Sequence, residues 1–339
     1  MHIHRMLVRR TVVALACAPA VVAVACACSV LPARADLALD ELLSGVVEIR
    51  THIDADARTA DSLGREREGT GIVIDGQGLV LTIGYLMVEA ATADIVTGDG
   101  RTVGAQALAY DNETGFGLLR AVSPLKVRPV SIGTASAVKA GDRLLAVSYG
   151  GVSGVGAVHV VARREFAASY EYLLNDAIFT APPHPAWSGA ALIGRDGRLV
   201  GVGSLALGDV SGRGEGQDGN LFVPVDPLAS ILADLIAAGR PAVSPPWLGL
   251  STDEIEGHLV VKRVTPGAPA DHAGVKRGDV IVGVNGEAPK DLADLYHKVR
   301  ALGHAGVDVP LELLNQGEVR AVIVHSMNRL DHLKRHGSI

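Results

Sequence analysis

Short runs of alternating apolar and polar residues, broken by Gly, Asp and Asn, fill the chain from about Leu42 to Val225; Gly71–Asp75, Leu79–Ile83, Leu144–Ser148 and Leu199–Ser204 are examples. Many short strands at this spacing predict an all-β sandwich or barrel. Two stretches, Asp54–Glu68 and the glycine-rich Gly208–Asn220, read as exposed loops. The pattern then changes period. Asp226-Pro227 predicts a helix start, with Asp as N-cap and Pro at the first helical position. Leu228, Ile231, Leu232 and Leu235 make its apolar stripe, and Gly239 supplies the stop. Arg240–Pro246 holds three prolines and reads as a stiff linker between domains. From Trp247 to Met327 strand signals alternate with two short helical ones, the second of which, Asp291–Leu302, puts Leu292, Leu295, Tyr296 and Val299 on one face. No internal repeat is visible, and the polar tail from Asn328 reads as frayed.

Composition adds most at the N-terminus. Residues 1–35 hold Arg5, Arg9, Arg10 and Arg34 and no acid, and a run of Ala, Val, Leu and Cys ends in Ala33-Arg34-Ala35 before Asp36. A basic start, an apolar centre and a small-x-small site together predict a secretory signal cleaved after Ala35, hence an exported, periplasmic protein. The alternative is an uncleaved N-terminal membrane anchor, and Arg9-Arg10 leaves a twin-arginine route open beside the general one. All three cysteines, Cys17, Cys26 and Cys28, lie in this segment. A mature chain without cysteine has no disulfides and no thiol nucleophile, so its stability must come from burial. The whole chain of 339 residues carries a net charge of −6, and aromatics make up only 4%. That balance argues against nucleic acid as a partner.

One serine stands out, in Pro185-Ala186-Trp187-Ser188-Gly189-Ala190-Ala191, followed by two short apolar runs around an Asp196-Gly197 turn. Gly69–Ile74, Gly78–Thr82, Asp111–Thr114, Gly141–Ser148 and Leu221–Val225 complete a pattern that resembles the HtrA/DegP branch of trypsin-like serine proteases. The resemblance implies a mainly β fold, a trypsin-like double six-stranded β-barrel over residues 36–239. It also implies a Ser-His-Asp triad, and here the chain departs from the family. The histidine position is Tyr85 and the aspartate position is Gly115, so Ser188 alone remains. The glycine that supplies one oxyanion-hole N–H, beside that of Ser188, is replaced by Ala186, which at positive φ would be strained.

A serine hydroxyl needs a base to take its proton. Tyrosine, ionising near 10, is not one at neutral pH. His184 lies four residues before Ser188 and is either a rescue base or a solvent-facing loop residue. His332 and His336 have i, i+4 spacing but no evident further ligand, so neither a metal nor another cofactor is expected.

Trp247-Leu248-Gly249-Leu250, then Val264–Lys276 and Arg277–Asn285, resemble a bacterial PDZ domain over residues 247–327, with 328–339 as tail. The first motif would aim backbone N–H groups at a peptide's terminal carboxylate. Leu250 with Leu292, Leu295 and Val299 would line the groove, although some of these must be core. The combined expectation is an exported HtrA-like PDZ protein, proteolytically inactive, that binds peptide C-termini or unfolded proteins. The alternative is a weak serine endopeptidase using Ser188. The resemblance also implies a trimer, or a partnership with an active HtrA relative, although Asp36–Arg50 lacks the aromatics that clasp such trimers.

Overall fold

The computed structural model describes residues 39–214 and 216–333. The signal and cleavage site at 1–35 lie outside them, as does the end of the tail with His336. Among the described residues no helix is long and apolar enough to cross a membrane.

Six strands, β1 (Val46–Ile53), β2 (Glu66–Val73), β3 (Leu79–Ile83), β4 (Ala90–Val96), β5 (Thr102–Tyr110) and β6 (Phe116–Ala121), close a barrel in the order β1-β2-β3-β6-β5-β4. A second barrel holds β7 (Arg143–Val147), β8 (Val155–Ala168), β9 (Tyr172–Ala181), β10 (Ala191–Ile193), β11 (Leu199–Leu207) and β12 (Gly219–Pro224). Its order, read from β7, is β7-β8-β9-β12-β11-β10, the same path as the first. The topology is therefore duplicated although the sequence shows no repeat. Closure needs only short strands that bury alternate side chains, and many apolar sets satisfy it. Ile49, Val80, Ile95 and Leu119 fill the first barrel, and Leu192, Ile178 and Phe222 the second. β3 and β12 are buried at every position, so they read as continuous apolar runs.

The stretch Asp54–Glu68 is not simply a loop. It contains a helical turn, Ala60–Leu63, and the first residues of β2. Arg67 within it is only 6% exposed, because its guanidinium donates to the carbonyls of Gly64, Tyr85 and Val88 and to Thr59 Oγ1.

The helix after the second barrel, Leu228–Ala238, ends on Gly239 as expected, but Asp226 does not cap it. Its carboxylate instead accepts the Ala135 N–H at 3.0 Å, pinning the inter-barrel segment. Asp226→Ala should therefore cost about 1–2 kcal/mol in urea unfolding, the loss of a hydrogen bond to a charged group. Amide exchange in the first turn of the helix should stay unchanged; faster exchange confined to that turn would restore the capping role.

The last five strands are β13 (Leu250–Ile255), β14 (His258–Val264), β15 (Val280–Val284), β16 (Asp308–Asn315) and β17 (Glu318–His325). They form one antiparallel sheet in sequence order, with β13 at an edge. The helix Leu292–Ala301 packs on it, capped by Asp291, whose carboxylate accepts the Asp294 N–H at 2.8 Å. Leu295, Tyr296 and Val299 are buried, while Leu292 is half-buried at the margin of the core.

The tail is not frayed where it is described. Asn328 caps a helical turn, Arg329–His332, and the His332 ring lies 5.0 Å from the Trp247 ring. Trp247 and Met327 exchange backbone hydrogen bonds, which ties the start of this region to its end.

Candidate functional site

The turn that carries Ser188 meets the first barrel directly. The Thr70 N–H donates to the Ser188 carbonyl at 2.8 Å, and Tyr85, on the 3₁₀ turn Gly84–Leu86 after β3, reaches across to the serine side chain. The Tyr85 and Ser188 hydroxyl oxygens are 2.7 Å apart, and the Tyr85 hydroxyl is 2.9 Å from the Ser204 carbonyl oxygen. A carbonyl oxygen only accepts, so the single phenol proton goes to Ser204 and the Ser188 hydroxyl donates to Tyr85. Burial pushes the Tyr85 hydroxyl up to about 12, with Ser188 and Trp187 pulling weakly the other way. At neutral pH only about one molecule in 10⁵ would carry the phenolate.

Gly115 sits at φ 82 between Asp111 and β6. A Cβ there would lie 3.0 Å from the Tyr172 hydroxyl oxygen and 3.3 Å from Ile83 Cδ1. The Tyr172 hydroxyl itself donates to the Thr114 carbonyl at 2.7 Å, so this space is filled by a buried ring rather than left open for a carboxylate.

His184 is neither a base for Ser188 nor a solvent-facing residue. It is 6% exposed, and its Nδ1 accepts the Ala186 N–H at 3.2 Å while Nε2 lies 3.1 Å from the Gly154 carbonyl. This pattern makes Nε2 the donor and Nδ1 the acceptor. It also resolves Ala186 in a way the sequence does not indicate. Ala186 is absent from the positive-φ residues, so it carries no left-handed strain. Its N–H, which a trypsin-like site aims at the oxyanion, is turned to an imidazole.

The second candidate site is the loop Trp247-Leu248-Gly249-Leu250. It follows the linker and enters β13, and Gly249 at φ 84 is what points three successive N–H groups one way. Leu250, Leu295 and Val299 line a cavity of about 30 Å³ below the loop, together with Trp247, Leu248, Ile281 and Leu311. Leu292 does not line it, so three of the four leucine and valine positions expected in the groove come together there.

Sequence reasoning missed two participants. Glu171, at the turn between β8 and β9, accepts the N–H groups of Leu248, Gly249 and Leu250 at 2.8, 2.7 and 2.6 Å. Burial raises its carboxyl to about 7, against the pull of those donors and of Arg329. Tyr296 accepts the Glu171 N–H at 3.2 Å and donates to the Ala168 carbonyl at 2.8 Å. A glutamate at a hairpin tip carries no sequence signal for this, because the contact joins residues more than seventy positions apart.

Two closed antiparallel barrels with a serine turn at their junction, then a small sheet with a glycine N–H loop, define a trypsin-like peptidase fold carrying a PDZ domain. The trypsin-like peptidase domain family matches residues 69–202, and the PDZ domain family matches residues 260–313. The homologues are HtrA/DegP serine proteases. The periplasmic pH-dependent serine endoprotease DegQ of Escherichia coli K12 is 27% identical over 268 residues, covering 74% of this chain and 57% of its own. Protease Do-like 1 of the Arabidopsis thaliana chloroplast is 27% identical over 286 residues, covering 76% and 63%. The chain thus spans less than two thirds of the length of these relatives. Among solved structures, the HtrA-type protease AlgW with a decapeptide superposes with a TM-score of 0.53 at 20% identity, over 88% of this chain and 98% of that one. The serine endoprotease from Yersinia pestis gives 0.52 at 20% identity, over 86% and 97%.

Proposed function

We propose that the chain is an exported, periplasmic HtrA-like PDZ protein that has lost proteolysis and works by binding peptide C-termini or unfolded segments, in a chaperone-like or regulatory role. The observation that carries this reading is the destination of the Ser188 proton. It is held by a neutral phenol that already gives its own proton to Ser204 and ionises only near 12, so Tyr85 does not take the proton during attack. The Tyr85 and Gly115 positions supply neither base nor orienting carboxylate, and the Ala186 N–H is engaged by His184. Each missing oxyanion donor costs about 10²–10³ in turnover on its own. The roles of Ser188, Tyr85, Gly115 and Ala186 as remnants of a triad and oxyanion hole belong to this proposal. So do the division into barrels over 36–239 and PDZ domain over 247–327, and the assembly as a trimer or with an active HtrA relative. Periplasmic placement is supported by the basic-apolar-small pattern of residues 1–35 and by the stated location of DegQ.

Retention of Ser188 and descent among serine proteases favour a rival reading, a weak endopeptidase with a non-standard base. A fluorophosphonate probe separates the two. The full chain should label no more than its Ser188→Ala twin at any pH from 6 to 9, since the phenol that holds the serine proton ionises far above that range. Labelling that rises with pH and vanishes in Ser188→Ala would overturn the inactive reading.

A further inference from the structure

The hairpin joining β8 to β9 reaches into the groove of the PDZ domain and meets both of its walls. On one wall the Thr252 N–H, on edge strand β13, donates to the Ser169 carbonyl at 2.8 Å. On the other, Tyr296 of the helix Leu292–Ala301 bonds to the backbone of both Ala168 and Glu171. Arg300 of the same helix donates to the Leu173 carbonyl at 3.2 Å, and the Leu173 side chain joins the domain's own apolar core. At the closed end, the Glu171 carboxylate takes all three N–H groups of the Leu248–Leu250 loop. The tip runs toward the loop as β13 runs away from it, so the one Ser169–Thr252 backbone bond joins antiparallel segments. The three loop N–H groups and the Thr252 N–H, donors that an incoming peptide end would use on this face, are engaged at once.

We infer that the Ser169–Glu171 tip is the groove's own internal ligand. The Glu171 carboxylate stands in for a peptide's terminal carboxylate, the Ser169 carbonyl for the backbone two residues before it, and an outside C-terminus binds only by displacing the tip. This rests on the peptide-binding reading of the Trp247–Leu250 loop. Two features give the outside peptide a means to compete. Glu171 is held in the left-handed region at φ 58, a conformation uncommon for a residue with a side chain. Beneath its carboxylate lies the cavity of about 30 Å³ lined by Leu250, Ile281, Leu295 and Val299, to which a peptide ending in an apolar residue brings a side chain. The matching ligand is therefore a free C-terminus with an apolar last residue.

The occupant lowers apparent affinity by the fraction of molecules whose groove is open. Two variants of the full chain test this at pH 8.5. Glu171→Asn tolerates the left-handed backbone but is one methylene short and uncharged; Glu171→Gln keeps the length and loses the charge. Two measurements are made on each. Hydrogen–deuterium exchange of the segment 247–251 reads the tip, with β1 and β12 as controls for folding. Anisotropy of a fluorescein-labelled decapeptide ending in Ala-Leu-Val, as free acid and as C-terminal amide, reads the groove. In Glu171→Asn, segment 247–251 should exchange at least tenfold faster and the free acid should bind at least tenfold tighter than to wild type, with Glu171→Gln between them and the amide failing throughout. Unchanged exchange in both variants overturns the internal ligand. Faster exchange with equal or weaker peptide binding than wild type overturns the competition. Faster exchange with no peptide bound by any variant leaves the internal ligand standing and removes the peptide-binding reading instead.

Discussion

Incubated with unfolded casein, the full chain should release fragments no faster than its Ser188→Ala twin. Loss of a single key triad member in subtilisin-type comparisons costs about 10⁶ in turnover. On the proposed reading two triad positions, Tyr85 and Gly115, are replaced, and the surroundings of Gly115 leave little room for an aspartate. Restoring the missing side chains should therefore fail as well. In a Tyr85→His/Gly115→Asp double variant the new aspartate starts from φ 82, where a side chain costs roughly 1–2 kcal/mol. Its Cβ meets the Tyr172 hydroxyl at 3.0 Å, and that hydroxyl is anchored on the Thr114 carbonyl. A histidine at position 85 would then lack an orienting partner, and the Ala186 N–H would still be committed to His184. Casein hydrolysis by the double variant more than tenfold above Ser188→Ala would show that the frame has kept its catalytic geometry, and would count against an adapted, silent site.

Gly249→Val should destabilise the PDZ region by roughly 2–5 kcal/mol, the sum of a left-handed side chain and an overpacked contact. Gly249 has φ 84, and a Cβ there would lie 2.2 Å from the Cβ of fully buried Ala268. Neither side has room to give. Ala268 closes a turn in which the Thr265 N–H donates to the Gly249 carbonyl at 2.8 Å and the Ala268 N–H to the Thr265 carbonyl at 3.1 Å. Pushing Ala268 away breaks that turn and swings the loop N–H groups off the Glu171 carboxylate. Urea unfolding followed by Trp247 fluorescence, in a Trp187→Phe background, reads the loss. A midpoint shift equivalent to less than 0.5 kcal/mol by the usual linear extrapolation would mean the loop is far softer than its packing implies.

The strand spacing and the glycine-bounded runs are enough to predict an all-β sandwich or barrel, because alternation and turn residues are local properties; the family resemblance narrows this to the barrel. The same holds for the helix Leu292–Ala301, whose Asp291 cap and apolar face are both written within a dozen residues. Asp226 shows the limit of that method. It stands where a cap belongs, yet the nearby Ala135 N–H, ninety-one positions away in the chain, takes its carboxylate instead. Arg67 shows the same limit for burial, since a charged residue in a polar stretch reads as exposed until its carbonyl acceptors are known. The tail reads as frayed for a third reason, that the Trp247 ring that meets His332 lies more than eighty residues upstream.

Sequence by itself therefore determined the architecture, and the family resemblance put Tyr85 and Gly115 where triad residues are expected, a reading that needs residue types alone. Only the tertiary structure decided what the remaining groups do. Whether Ser188 has a base, whether Ala186 offers its N–H, and what fills the carboxylate loop all depend on hydrogen bonds between residues far apart in the chain. Such bonds act over about 3 Å and are set by how barrels and sheet pack, not by any local pattern. A lone glutamate at a hairpin tip is unremarkable in one dimension. In three it holds the Leu248, Gly249 and Leu250 N–H groups of the loop expected to hold a partner.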